Sequence, residues 1–477
     1  MDVALINPNP SQRGLNLATM APPIGLGYLA SVLEGNGHRC SVIDAHLLGL
    51  SAPEIVAMIP PSASAVGIYL NSFSYDSVRE LASAVRRFRP AAKIIIGGPL
   101  PSSAPELVLR DIPCDGLIRG EGERALLAVM DNLSRGREVF QGGVSGAAYL
   151  GRDRLPVLHP VERIRDLDSL PFPAYHLMPP LRRYHSRSRR RPAAPMVTSR
   201  GCAYDCTFCS KDVFRRVVTL RSPANVLAEV DHLVRDYGVR QIDIMDDNFA
   251  QDRQRLEEIV DGLIARDYGL AINIQNGIRT ETLDEAVLKK MKRAGVYKLA
   301  FGIESADEEL LRRHRKQVDL GRLEEVVKSA RRLGLIVYAF IIIGLLGETE
   351  EGFERTLSFL KKLDFDAVNF CMAIPFPGTE LHRMVAAEGR FLVDTARGLS
   401  AGYYDGTVFY EYGPYQAEDI RRRYRRAYRE FYNPKKQLKI LLDIRSWSEF
   451  VWLLGASWFI WKGVWKSLRR RPRPARS

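Results

Sequence analysis

A chain of 477 residues is too long for one ordinary core, so two or three domains are expected. With 46% hydrophobic and 26% charged residues it has the mix of a protein that folds in water, which excludes a disordered chain and one with many membrane spans. The formal charge of +13 is concentrated in LRRYHSRSRRR (181–191), RRRYRRAYR (421–429) and the tail RRRPRPARS; the first two runs read as linker and solvated helix face, so nucleic acid is not expected as a partner.

The opening MDVALINPNP has no basic segment and only a short apolar run, and three of the six cysteines fall within eight residues. Neither a secretory leader nor a disulfide framework is expected, and a reducing, cytoplasmic setting follows.

Over 1–140 short apolar runs alternate with helical patterns: VALINP, IGLGYLASVLEGNG, CSVID, a helix over 53–59, AVGIYL, a helix reaching Phe88, KIIIGG and DGLIRG. This predicts an α/β domain with a flavodoxin-like parallel sheet covered on both faces, whose ligands lie at the carboxyl ends of the strands. Asn7, Asn71, Ser72, Gly97, Gly98 and Glu121 occupy those ends. Residues 141–194, with Pro171, Pro173, Pro179, Pro180 and the first arginine run, read as a linker.

From 195 to 415 a lead-in strand near MVTSRGC precedes QIDIMDD, LAINIQNGIR, YKLAFGIES, LIVYAFIIIG and AVNFCMAIPF, each followed by a helical pattern. About six strand–helix units predict a partial (β/α)6-type barrel. Residues 416–477 form a basic helical region whose tail, 446–477, holds all five tryptophans, Trp447, Trp452, Trp458, Trp461 and Trp465.

Cys202, Cys206 and Cys209 stand in CAYDCTFC just after the lead-in strand. Thiolates at such spacing bind iron–sulfur clusters, and three of them leave one iron of a four-iron cluster open. A zinc site completed by His185, His232 or Cys371 satisfies the same spacing. Asp246, Asp247, Gln275, Arg279, Glu304 and Ser305 lie at strand ends, where polar groups either hold a ligand or cap the next helix.

The CxxxCxxC spacing, with the aromatic Phe208 before the last cysteine, resembles the radical S-adenosylmethionine (SAM) superfamily. Over roughly residues 1–430 the chain further resembles the cobalamin-binding branch of that superfamily, through DDNF (246–249), GIES (302–305), GLLGET (344–349) and PFPGT (375–379). That branch contains methyltransferases and the anaerobic magnesium-protoporphyrin monomethyl ester cyclase. Leu346 stands where the family often has proline, which implies a local change in the turn.

The resemblance implies a 4Fe-4S cluster on Cys202, Cys206 and Cys209, with SAM on the open iron and Phe208 beside its adenine. It implies that Asp246, Asp247, Gln275, Arg279, Glu304 and Ser305 hold the ribose and methionyl parts of SAM. Cobalamin is expected along Asn7, Asn71, Ser72, Gly97, Gly98 and Glu121. The string DAHLLG (44–49) matches the DxHxxG signature of other cobalamin enzymes. It follows the second strand, away from the switch point of a 2-1-3-4-5 sheet, so His46 reads as a loop histidine and cobalt is expected to lack a protein imidazole.

The implied chemistry is hydrogen abstraction from an unactivated carbon and methyl transfer to it, an anaerobic C-methylation fed by a reductase, flavodoxin or ferredoxin as electron donor. A radical SAM cyclase or oxidoreductase is the enzymatic alternative; a non-catalytic cobalamin or metal sensor is the other. In the tail, the apolar stretch 450–460 is about half of the roughly 20 residues that a bilayer span needs. Tryptophans with a basic flank suit a peripheral helix on the inner face of a membrane, and a helix packed on the barrel would use the same residues. With a peripheral helix, a lipid, isoprenoid or tetrapyrrole substrate is expected.

Overall fold

The computed structural model describes residues 1–10, 20–184, 188–214, 216–395, 397 and 406–442. The first sheet contains β1 (Asp2–Asn7), β2 (Arg39–Asp44), β3 (Ala63–Tyr69), β4 (Lys93–Gly97), β5 (Gly116–Ile118), β6 (Ala147–Leu150) and β7 (Pro156–Leu158), in the order β2-β1-β3-β4-β5-β6-β7. Its first five strands are parallel and follow the expected 2-1-3-4-5 order. Runs such as Ala4-Leu5-Ile6 and Ile94-Ile95-Ile96 are buried on both faces, which obliges helices to cover each side. Leu33, Leu126 and Val129 do so on one face, and Val78, Leu81 and Val85 on the other.

β6 adds antiparallel to β5 and β7 antiparallel to β6, so the early part of 141–194 continues the first sheet instead of running free. Glycines at positive φ, Gly142, Gly143 and Gly146, turn the chain back to the sheet, and strands of three and four residues are too short to show an alternating pattern.

The second sheet is built from β8 (Ala193–Met196), then, after the short pair β9 (Ser199–Arg200) and β10 (Thr219–Leu220), from β11 (Gln241–Ile244), β12 (Ala271–Ile274), β13 (Val296–Glu304), β14 (Ile336–Ile343) and β15 (Ala367–Met372). Six of these pair in parallel in the order β15-β14-β13-β12-β11-β8, the expected partial barrel. Asp252, Asp284, Asp319 and Thr349 cap the amino ends of the intervening helices. Leu299, Phe301, Ile341 and Phe370 fill the core between strands and helices.

The arginine-rich helix Ala417–Phe431 covers the β15 edge. The Tyr432 hydroxyl, just beyond it, accepts from the Val368 N–H at 3.0 Å and donates to the Val368 carbonyl at 2.7 Å; the Tyr428 hydroxyl donates to the Phe370 carbonyl at 3.2 Å. The arginines of the 421–429 run are largely spent on the protein itself. Arg423 pairs with Glu348 and Glu350, Arg426 with Glu350, Glu354 and Glu430, Arg421 with Glu418, and Arg422 with Asp419. The tryptophan tail lies outside the described residues. No described helix is long and apolar enough to cross a membrane.

Candidate functional site

The antiparallel pair β9–β10 ties off a loop, 201–218, that carries all three cysteines, and each thiol is free. The loop leaves β9 through Gly201, whose φ of 85° and whose approach to the Val217 carbonyl leave no room for a side chain. The Gly201 N–H donates to Asp247 at 3.0 Å, and its carbonyl accepts from Gln251 at 2.9 Å.

Thr207, between Cys206 and Phe208, is the loop's second anchor. Its N–H donates to the His314 carbonyl at 3.1 Å, and its carbonyl accepts from the Leu381 N–H at 2.8 Å. Its hydroxyl lies 2.6 Å from His314 Nδ1, while His314 Nε2 lies 2.9 Å from the Leu346 carbonyl. Burial pushes the His314 imidazole down to about 4, so it is neutral: Nε2–H donates to Leu346, and Nδ1 accepts from Thr207. Sequence reasoning missed His314, because its partners are a hydroxyl and a backbone carbonyl far away in the chain.

Burial pushes the Cys209 thiol up to about 12, with Cys206 adding to the effect; Cys206 is raised by burial against the pull of Lys316. Among the described residues no three His, Cys, Asp or Glu side chains gather closely enough for a single metal ion. His232 is bonded to Asp236, Cys371 is buried on β15, and His185 lies outside the described residues. Three free thiols spread along a loop, with Lys211, Lys316 and Arg279 acting on Cys206, suit the span and negative charge of a cluster better than one tetrahedral ion.

Besides Asp247, which holds Gly201, two of the strand-end candidates reach this loop. Arg279 stacks on Tyr204, its guanidinium 3.4 Å from the ring centre, and pairs with Glu281. Glu304 ends β13 at φ 68°, a left-handed backbone that a non-glycine residue adopts at a cost. Its carboxylate meets Lys316 Nζ at 3.1 Å, with both side chains nearly buried. Lys316 is a second residue missed from sequence, since nothing in RRHRKQ separates it from its solvated neighbours. Phe208 lies on the loop with its ring 6.4 Å from that of His314.

The others are spent on structure. Buried Asp246 accepts from the Thr198 N–H and from the Thr198 and Ser199 hydroxyls, holding the lead-in segment to β11. Gln275 contacts Met245 and Asn273, and Ser305 bonds Thr356 and the Asp307 N–H. A cleft of about 390 Å³ beside Asp168, Ser222 and Glu258 shares none of these residues.

At the first sheet, Asn7 donates to Asp44 at 2.8 Å, and Asp44 also accepts from Tyr184 and from the Leu47 N–H. DAHLLG is thus a helix start, capped by Asp44, with His46 on the short helix Ala45–Leu48. Asn71 accepts from the Phe73 and Ser74 N–H groups, and Ser72 is buried. Gly97 ends β4, and a side chain on Gly98 would stand 2.6 Å from the Leu70 carbonyl. Glu121 pairs with Arg163 at 2.8 Å and Arg200 at 2.7 Å, and Glu123 pairs with Arg200 at 2.6 Å.

The carboxyl ends of the two sheets therefore face each other. Phe73, after β3, meets Phe376 of PFPGT edge-on at 6.5 Å, and Arg200, two residues before Cys202, is held by the loop after β5.

The family model described as the radical SAM superfamily matches residues 196–360, and that of the B12 binding domain matches residues 13–130. An uncharacterized methyltransferase of Pyrococcus horikoshii, PH0819, is 31% identical over 449 residues, which is 93% of this chain and 95% of that protein. The anaerobic magnesium-protoporphyrin IX monomethyl ester cyclase of Rubrivivax gelatinosus is 27% identical over 389 residues, 80% of this chain and 69% of the cyclase. Among solved structures, the radical SAM methyltransferase TsrM of Kitasatospora setae, with tryptophan substrate and a SAM analogue bound, is similar in fold over 98% of each chain, with a TM-score of 0.72 at 17% identity.

Proposed function

Since the chain belongs to the radical SAM superfamily, in the branch that joins a B12-binding domain to the radical SAM domain, we propose that it is a C-methyltransferase acting on an unactivated carbon of a hydrophobic small molecule or lipid. It is an enzyme, and its family works with a 4Fe-4S cluster, SAM and cobalamin. When bound, these groups supply a deoxyadenosyl radical for hydrogen abstraction and a methyl group for transfer.

The chain's own residues divide the work. Cys202, Cys206 and Cys209 hold the cluster, and Thr207 with His314 fixes the loop between them. Lys316 and Glu304, acting on Cys206 from one side, offer a cation to the methionyl carboxylate and a carboxylate to its ammonium group. Arg279 and Tyr204 form a flat, cationic wall beside them, and Phe208 offers a face to adenine. Asn71, Ser72, Gly97, Gly98 and Glu121 line or brace the cobalamin side, with Asn7 behind them.

The observation that carries this reading is the opposition of the two carboxyl ends, because methyl transfer to a carbon radical needs both modules to reach one substrate. Methylation is favoured over ring closure by the likeness to a methyltransferase over 95% of that relative, against 69% of the cyclase. The hydrophobic substrate rests on the five tail tryptophans and on Leu438, Leu441 and Leu442, exposed on the helix Pro434–Leu442 that leads to them. These support a peripheral site on the inner face of a membrane, with a flavodoxin, ferredoxin or reductase as electron donor.

The test is anaerobic protein reconstituted with iron, sulfide and cobalamin, then given methyl-labelled SAM, dithionite and a lipid extract. Label in a lipid-soluble product, abolished by Cys206→Ala, is the expected result. An unlabelled ring-closed or oxidised product would favour the cyclase reaction. Zinc without SAM cleavage would remove both and leave a sensor.

A further inference from the structure

Between the two modules lies a buried quartet of charges, of which only Glu121 has been given a role above. Glu121 comes from the loop after β5, Glu123 from the start of the helix Glu123–Ser134 that follows it, Arg163 from the segment after β7, and Arg200 from β9. Their side chains are between 1% and 10% exposed, and two carboxylates face two guanidiniums, so the group is neutral as a whole. Glu121 also accepts from the Ile164 N–H at 2.9 Å. Arg200 further lies against the Tyr28 ring, its guanidinium 5.2 Å from the centre.

We propose that Arg200 is a positioning residue that sets the separation between the B12-binding module and the cysteine loop. Its planar fork is the only side chain in the quartet to bridge both carboxylates, and its backbone is two residues from Cys202. A buried pair of this kind contributes little net stability compared with an apolar contact, but it admits one geometry. An apolar contact would let the modules slide; two directional bonds to one guanidinium do not. The proposal rests on the functional reading above, since a fixed separation matters only if both modules carry a reacting group.

The experiment compares wild type with Arg200→Gln, Arg200→Lys and Glu123→Gln, all full length and reconstituted anaerobically with iron, sulfide and cobalamin. In wild type, cob(II)alamin next to the dithionite-reduced cluster should show accelerated spin relaxation by power-saturation electron paramagnetic resonance. Arg200→Gln should keep its iron and cobalamin but show a weaker acceleration; Arg200→Lys, reaching one carboxylate, should fall between it and wild type. A shift of about 1 Å costs about 100-fold in a reaction that depends on alignment. Label transfer, once a substrate is found, should therefore fall by that order while SAM cleavage persists.

Unchanged relaxation in a fully loaded Arg200→Gln would overturn the proposal. If that variant does not fold, the Glu123→Gln protein decides by the same criterion, because its change lies outside the cysteine loop and outside the residues assigned to cobalamin. Hydrogen exchange on cofactor-free protein separates the two readings. Wild type that takes up neither cofactor defeats the functional reading. Arg200 is still judged by whether protection at Ile164 and Gly201 falls together in Arg200→Gln, and unaltered protection counts against it.

Discussion

Thr207 and His314, 107 residues apart, share one buried hydrogen bond of 2.6 Å from the threonine hydroxyl to Nδ1 of a neutral imidazole. That bond joins the centre of the cysteine loop to the backbone after β14, through the second ring nitrogen and the Leu346 carbonyl.

The bond carries a pH dependence. Burial holds the folded imidazole at about 4, below its usual 6.5, so between those values the unfolded chain binds a proton that the folded one refuses. Stability therefore rises with pH across that window and is lost as pH falls through it. At about 1.4 kcal/mol per pH unit, the drop from pH 7 to pH 5 is roughly 2 kcal/mol from this residue. Urea unfolding of wild type and His314→Gln at both pH values should show the excess loss in wild type alone; equal losses would remove His314 as its source.

Lys316 and Glu304 should behave as a coupled pair. Lys316→Met leaves a nearly buried carboxylate uncompensated and should cost about 3–5 kcal/mol. Adding Glu304→Gln should return at least half of that, by a double-mutant cycle in urea. Additive losses would mean that the two side chains do not depend on each other.

Tyr204 matters as a flat ring rather than as a phenol. Its face contact with Arg279 is the shortest cation–ring distance in the described structure, so Tyr204→Phe should leave SAM binding unchanged. Tyr204→Leu should weaken it by about 1–2 kcal/mol, or roughly five- to thirty-fold, in calorimetry on the cluster-loaded protein. Equal affinities for the Leu and Phe variants would count against the stacking.

Charge on the arginine-rich helix is internal. Arg423, with a side chain 3% exposed, holds the equally buried Glu348, so Arg423→Met should cost about 3–5 kcal/mol. Arg421→Gln and Arg422→Gln sit on exposed pairs and should each stay within about 0.5 kcal/mol. Filter binding of RNA should be the same for the Arg421→Gln/Arg422→Gln double variant and wild type; a marked fall would reopen nucleic acid as a partner.

The strands of both sheets were legible because runs such as Ile94-Ile95-Ile96 are fully apolar, and a parallel sheet covered on both faces requires that. The cysteine loop was legible because its three thiols are local in sequence. β6 and β7 were not, since strands of three and four residues carry no period to read. Asp246 and Asn71 show a different limit. Each stands at a strand end, as expected, but whether such a side chain meets a ligand or a neighbouring N–H depends on where Thr198 or Ser74 happens to lie. His314 and Lys316 were invisible for the same reason in reverse: each becomes significant only when folding brings it to a loop more than a hundred residues earlier.

The tyrosines along β15 have a consequence for how this protein keeps to itself. A sheet left with a bare lateral strand offers a row of vacant donors and acceptors to any extended segment of another molecule, the usual route to runaway association. Here the outward amide and carbonyl of Val368 and the carbonyl of Phe370 are already taken by phenols. Because those phenols belong to the helix that packs on the barrel and to the residue just beyond it, a second chain would have to peel that helix away before it could add a strand at this side.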